Sequence, residues 1–152
     1  MKSKSDLSLR DYQELAEFRH QLRRFLHFSE EQARAQEMEP QQHQALLALK
    51  GMPPDTRPTI RELAGRLLLR HHTTVELVNR LETAGFVRRT PDATDGRVIL
   101  LQLTPKGAKK LRALSLAHRD ELSVRGPQLA RALRAILREG RSVKESQNGE
   151  AA

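Results

Sequence analysis

The chain has 152 residues, of which 38% are hydrophobic, 30% are charged and 3% are aromatic, and its formal net charge is +8. It has no cysteine, which excludes disulfides, thiol nucleophiles, thiol-based peroxide sensing and cysteine-ligated metals. No apolar run reaches the roughly 18 residues that span a bilayer, and the basic start MKSKSDLSLRD has no apolar signal core, so we expect a cytoplasmic protein with no membrane partner.

The positive charge is concentrated in the middle of the chain. Residues 57–112 hold 12 Lys and Arg against 5 Asp and Glu, whereas residues 1–56 hold 8 against 9 and residues 113–152 hold 7 against 5. A basic middle third is expected of a surface that faces a polyanion. A basic surface that meets only solvent is the alternative on charge alone.

Helix signals dominate the first half of the sequence. Apolar residues at three- and four-residue spacing predict a long helix over residues 8–37, and Pro40 suits the first turn of a second helix that Gly51 ends. After a turn-rich segment, Thr59 and Glu62 have the spacing of a capping box. They predict the start of a short amphipathic helix, in which part of the run LLL at residues 67–69 must be buried on more than one side.

A further helix is predicted to end at Gly85, followed by a β-hairpin made of residues 86–91 and 97–104. Helix resumes at Thr104-Pro105, and Gly126-Pro127 is expected to break it before a last helix. These elements predict a mainly α fold with a small β-hairpin wing. The expected domains are a helical dimerisation region at 1–39 and 111–140, a winged helix–turn–helix domain at 40–110 and a disordered tail at 141–152.

In a winged helix–turn–helix, the second of the two short helices enters the major groove of DNA, and the hairpin tip reaches a neighbouring minor groove. The segment DATDGR fits such a tip, because Asp95 can accept hydrogen bonds from Arg97 and hold it outward. An ordinary hairpin with a surface ion pair of little energetic value is the alternative.

Residues 59–107, TIRELAGRLLLRHHTTVELVNRLETAGFVRRTPDATDGRVILLQLTPKG, resemble the MarR family of bacterial transcription regulators. The similarity lies in an ELA-type helix, a T-x-x-L-V-x-R-L recognition helix, a D-x-R wing and L-T-x-x-G. It implies a homodimer with interlocked terminal helices, a palindromic double-stranded operator, and a ligand that changes the spacing of the two lobes.

Candidate DNA-contacting residues follow from this placement. At Arg88 and Arg89, strand alternation predicts that one touches phosphate and the other packs inward. Two positions depart from the family pattern. Leu68 replaces a frequent Gly, which suggests a turn without a left-handed residue, and Arg70 replaces a frequent Ser cap, which suggests a phosphate contact or a later helix start. The complete set of candidates is Arg70, His71, His72, Thr73, Thr74, Asn79, Arg80, Arg88, Arg89, Asp95 and Arg97.

An effector pocket is a further expectation, with His20, Arg24, His27 and His43 as candidate residues. Arg24 could hold the carboxylate of a small aromatic or anionic effector. A hydrated polar helix face is the alternative, and a histidine-based metal site is a third reading, although no tight H-x-x-x-H pair exists. No cofactor and no metal are expected.

The sequence therefore favours a sequence-specific, dimeric DNA-binding regulator, a repressor relieved by a small molecule. The alternative is a non-specific architectural DNA-binding protein, which the ratio of specific to random affinity distinguishes. A winged protein-binding module is a further class, against which the basic middle third argues. An enzyme is the least favoured class, because Glu76 beside His72 is a helix-surface pair before it is an acid–base dyad.

Overall fold

A computed structural model describes residues 6–148, with side-chain burial described through residue 138. Helices and one antiparallel hairpin make up the structure, which confirms the predicted fold class. The elements in chain order are α1 (Leu9–Ala35), α2 (Pro40–Lys50), α3 (Ile60–Leu67), α4 (His71–Thr83), β1 (Val87–Pro91), β2 (Ile99–Leu103) and α5 (Pro105–Asn148).

The chain divides into two compact units. Within the described residues, the helical unit comprises residues 6–29 and 118–148, and the winged unit comprises residues 30–117. In the helical unit, the His118 ring lies edge-on to Phe25 and Phe28, with ring centroids 5.8 and 5.5 Å apart. The Nε2 atom of His118 lies 2.8 Å from the Ser29 hydroxyl, so polar and aromatic contacts of His118 help to join the two helical segments of this unit.

The winged unit has its own hydrophobic core. The helices α2, α3 and α4 supply most of it, and the hairpin and the start of α5 complete it. Burial of these side chains is the main favourable contribution to the folding of this unit. The fully buried side chains at its centre are Leu46, Leu63, Leu77, Val78, Leu81, Val87, Leu101 and Leu114.

Two helix starts follow the sequence signals. Pro40 occupies the first turn of α2, where a missing N–H costs nothing, and the Glu39 N–H donates to the Gln42 side chain at 3.0 Å. At α3, the Thr59 hydroxyl accepts the Glu62 N–H at 3.2 Å, which confirms Thr59 as the N-cap.

The predicted break at Gly126-Pro127 was wrong. Helix α5 continues through Pro127 to Asn148. Proline removes one backbone donor, but its fixed φ is compatible with a helix, and the Leu-, Ala- and Arg-rich sequence on both sides favours continuation. The helix also includes residues 141–148, where disorder was expected, while residues 149–152 lie outside the described part of the chain.

The start of α5 is fixed on the turn that leads into β1. The Thr104 N–H donates to the Phe86 carbonyl at 3.0 Å, and the Thr104 hydroxyl donates to the Gly85 carbonyl. The same hydroxyl accepts the Gly107 N–H at 3.1 Å, so Thr104 caps α5 while tying it to the hairpin. These contacts give the L-T-x-x-G pattern a physical reason, since Gly107 lies directly against the Phe86 backbone.

Candidate nucleic-acid interface

The N-terminal end of α4 presents a cationic surface. Arg70 occupies the N-cap with an extended backbone and makes no side-chain cap hydrogen bond, and the helix begins at His71. Arg70, His71 and His72 are exposed, and Thr73 is partly exposed. Unpaired backbone N–H groups at this helix end add a partial positive charge to the basic side chains. The arrangement suits an anion such as a DNA phosphate.

Thr74 is a correction to the candidate set. Its side chain is 0% exposed, and its hydroxyl donates to the Arg70 carbonyl at 3.0 Å. A threonine on the inner face of α4 satisfies its hydroxyl by bonding back one turn. It therefore belongs to the core of the winged unit and cannot reach a base or a phosphate.

Three further candidates are engaged inside the winged unit. Arg80 pairs with Glu39 at 3.1 Å, so it links α4 to the N-cap of α2. Arg89 donates to Glu82 at 2.5 Å and to Asn79 at 2.8 Å, which ties β1 to α4. Asn79 and Arg80 are themselves exposed, so these contacts orient side chains that remain accessible.

The structure also separates the two arginines of β1. Arg88 is exposed and its Nε lies 3.4 Å from the Gln102 side chain on the paired strand, whereas Arg89 is partly buried against α4. The expectation that strand alternation sends them in different directions therefore holds. Arg88 is the one left facing solvent, and Arg89 is the one that packs inward.

At the wing tip, Asp95 holds Arg97 as the sequence suggested. The Asp95 Oδ1 atom accepts from Arg97 Nε at 3.2 Å and from the Arg97 backbone N–H at 3.1 Å. The pKa of Asp95 is held below its ordinary value. The main cause is the hydrogen bond from the Arg97 side chain, followed by the one from the Arg97 backbone, and the charge of Arg57 adds to them. The Arg97 side chain is nevertheless 92% exposed, so the cation is oriented but open to a partner.

A second set of contacts fixes the root of the wing. The Asp92 N–H donates to the Val98 carbonyl at 2.8 Å and closes the hairpin. Arg57 pairs with Asp92 at 3.3 Å, and the Leu101 N–H donates to the Pro58 carbonyl at 2.8 Å. The segment before α3 thus lies along the outer edge of β2 and limits the directions in which the tip can move.

The turn between α3 and α4 overturns another expectation. Leu68 adopts a left-handed backbone with φ 55° and ψ 39°, so the turn does use this conformation although its residue is not glycine. Leu68 is also 92% exposed. The LLL run is therefore not buried throughout, because only Leu67 and Leu69 pack against the core.

The candidate effector residues do not share one location. His20 and Arg24 line an open groove of the helical unit, together with Glu17, Gln128 and Arg131. His27 is exposed on α1, whereas His43 belongs to the winged unit and is 4% exposed within α2. His43 is therefore buried in the winged unit, apart from the groove beside His20 and Arg24. Within the described residues, no group of three or more His, Asp or Glu is placed to hold a metal ion.

Several supporting residues were missed by the sequence reasoning. Glu39, Arg57 and Glu82 each fix an arginine or an aspartate of the candidate site. The Glu39–Arg80 pair spans 41 positions and carries no sequence signal, since only the packing of α2 on α4 brings it together. The role of Glu82 could have been predicted from the sequence, because Glu82 lies three positions after Asn79 on the same face of α4.

Comparisons with known proteins agree with this geometry. A family model described as MarR family matches residues 36–98. The uncharacterized HTH-type transcriptional regulator YsmB of Bacillus subtilis (strain 168) is 31% identical over 64 residues, and the match covers 42% of this chain and 44% of YsmB. The chain thus spans less than half the length of this relative.

Two solved structures show the same fold. AbsC of Streptomyces coelicolor, a MarR family transcriptional regulator, superposes with a TM-score of 0.69 at 18% identity, covering 97% of this chain and 100% of AbsC. The Staphylococcus aureus MepR–DNA complex gives a TM-score of 0.64 at 19% identity, covering 93% of this chain and 99% of MepR.

The fold and the site thus define a winged helix–turn–helix protein with an α-helical unit attached. Residues 36–98, which form most of the winged unit, match the model of the MarR family, and the solved structures show that the fold is the same. In the part of the chain that the structure describes, no helix has the length and apolar character needed to cross a membrane.

Proposed function

We propose that this chain is a sequence-specific DNA-binding transcription regulator, which acts as a dimer on a palindromic double-stranded operator. The observation that carries the proposal is the wing tip, where Asp95 orients an Arg97 side chain that is 92% exposed. A surface arginine bonded on one side and open on the other is preorganised for a narrow, negative minor groove. The solved structure of MepR in complex with DNA, which has the same fold, supports this reading.

The recognition helix supports the same function. The basic N-terminal end of α4, with Arg70, His71 and His72 exposed, suits the major groove and its phosphates. The contacts of Arg80 and Arg89 within the winged unit fix α4 against α2 and the hairpin, so the two reading elements keep a constant spacing. Rigid support of this kind reduces the side-chain ordering that binding requires.

The apolar surface of the helical unit supports the proposed dimerisation. Its exposed apolar residues include Leu9 at 74%, Tyr12 at 58%, Val124 at 76% and Leu137 at 58%. A helical unit with this many exposed large apolar side chains fits a second copy of the chain, and a two-fold dimer places two winged units on half-sites about 34–36 Å apart. We further propose that the protein acts as a repressor. A small aromatic or anionic ligand, bound at the groove beside His20 and Arg24, would relieve the repression.

The test is a selection of random duplex DNA with the purified protein, followed by titration of the selected site. We expect an inverted repeat, and we expect Arg97→Ala to weaken binding by about 1–3 kcal/mol and to make the salt dependence shallower by about one unit of slope. Arg119→Ala removes the same charge from an exposed position of the helical unit and serves as the control.

The alternatives are resolved by the same experiment. Equal affinity for all sequences would indicate a non-specific architectural protein and not a regulator. For such a protein, the affinity for a selected site does not reach about 10³ times the affinity for random DNA. No binding at low salt would leave a protein-interaction module. Sedimentation of the wild type and of Val124→Glu tests the dimer, because an unfavourable charge at that exposed apolar position should shift the protein towards monomer.

A further inference from the structure

Leu68 combines two unfavourable features at one position. Its exposed fraction, 92%, is the highest of the large apolar side chains for which the structure describes burial, and its backbone is left-handed. An exposed leucine forgoes the burial that favours apolar side chains. A left-handed backbone is disfavoured for any residue with a side chain and most of all for a bulky one.

The hydrogen bonds of the turn explain why the backbone of Leu68 is left-handed, but they do not explain why the residue is leucine. The Leu68 N–H donates to the Gly65 carbonyl at 3.3 Å, and the Leu69 N–H donates to the Ala64 carbonyl at 3.0 Å. This is the helix ending in which a left-handed residue is usually glycine. It directs Leu69 to the core and Leu68 outward. The turn therefore needs a positive φ at position 68, which glycine or asparagine would supply with less strain.

The surroundings of Leu68 indicate what the side chain meets. Arg66, Arg70, His71 and His72 are exposed on both sides of it, and Arg66 is only weakly paired with Glu62 at 3.9 Å. An apolar side chain between two arginines in the sequence matches the major groove of DNA, in which thymine methyl groups lie between two rows of phosphates. The two arginines, Arg66 and Arg70, disfavour a second copy of this basic chain as the occupant.

We propose that Leu68 contacts the 5-methyl group of a thymine in each half-site and so contributes to the choice of operator. The inference rests on the proposed function, because it needs a selected operator. It adds an apolar contact from the turn to the polar and cationic contacts of α4 and the wing.

The experiment combines changes in the protein with changes in the DNA. Each thymine of the selected operator is replaced in turn by uracil, which removes only the methyl group. We expect wild-type affinity to fall about three- to fivefold at one thymine of each half-site, as for the burial of one methyl group. Leu68→Asn keeps a residue that tolerates the left-handed backbone but lacks the apolar branch, and it should make that uracil substitution silent. Leu68→Met keeps an apolar contact and should retain the sensitivity.

Each remaining outcome overturns the inference. These outcomes are a wild type insensitive to every uracil substitution, a Leu68→Asn variant with full affinity, and a Leu68→Asn variant that still responds to the same uracil. If Leu68→Asn instead turns the dimer into a monomer by sedimentation, the occupant is a second copy of the chain. A wild type that selects no sequence refutes the proposed function as well, and this result is seen without any Leu68 variant. Urea unfolding checks that Leu68→Asn is at least as stable as wild type.

Discussion

Gly107 is the position at which the smallest change should have a large effect on folding. It lies in the first turn of α5, and a Cβ atom built there would meet the Phe86 carbonyl oxygen at 2.1 Å and the Phe86 carbonyl carbon at 2.9 Å. Real Cβ contacts essentially never fall below 3.0 Å. Both neighbours are backbone atoms, so no change of rotamer relieves the clash, and Gly107→Ala must move α5 away from Phe86 by about 1 Å.

The magnitude follows from what that movement disturbs. Thr104 makes two hydrogen bonds to the same turn, to the carbonyls of Gly85 and Phe86, and each contributes about 1 kcal/mol. Overpacking adds about 1–3 kcal/mol. The better helix propensity of alanine offsets up to ~1 kcal/mol. We therefore expect Gly107→Ala to lower the free energy of unfolding by about 2–4 kcal/mol.

Urea unfolding followed by far-UV circular dichroism, at one fixed protein concentration, measures this change. The matched control is Gly65→Ala, because Gly65 is also a helical glycine but a Cβ there meets nothing within 4 Å. That variant should be more stable than wild type by about 0.5–1 kcal/mol. If Gly107→Ala unfolds within about 0.5 kcal/mol of wild type, at an unchanged slope, then the close contact between α5 and Phe86 does not constrain the fold and the reasoning is refuted.

Three further predictions concern the caps and charges of the winged unit. Thr59→Ala should lower the free energy of unfolding by about 1 kcal/mol in the same urea assay, because α3 loses its N-cap. Arg89→Ala should destabilise by about 1–2 kcal/mol, since it breaks two hydrogen bonds to α4, whereas Arg88→Ala should change stability by less than about 0.5 kcal/mol; equal effects would contradict the assignment of the inward-facing arginine. NMR titration of Asp95 should give a pKa below its ordinary value, and Arg97→Ala should raise it. Because folding lowers this pKa, the ionised Asp95 stabilises the folded state at neutral pH, and this stabilisation is lost as the pH falls through the lowered pKa. An identical titration midpoint of Asp95 in wild type and in Arg97→Ala would contradict the contact.

Local signals in the sequence were sufficient for most of the secondary structure. Pro40, Thr59 and Gly85 mark element ends through their own backbone and hydrogen-bonding properties, which depend little on distant residues. Pro127 shows the limit of such signals. Proline lowers the propensity of one position, but the residues before and after it favour helix, and α5 continues.

The candidate interface divides in the same way. Asp95 and Arg97 are two positions apart, so their contact could be read from the sequence. The roles of Thr74 and His43 could not, because polar residues of this type occur on both faces of helices, and only packing decides which face is covered. The pairing of Arg80 with Glu39, 41 positions away, likewise depends on packing and could not be predicted from the sequence.

By itself, the sequence determined the order of the elements up to the start of α5, the basic middle third and the resemblance of residues 59–107 to the MarR family, because periodicity, caps, charge and motif spacing are local properties of the chain. Only the tertiary structure decided which cations are bonded within the protein and which remain open, which arginine of β1 packs inward, and that Leu68 is exposed in a left-handed turn. These outcomes depend on contacts between residues far apart in the chain, and their free energies arise only when the helices and the hairpin pack together.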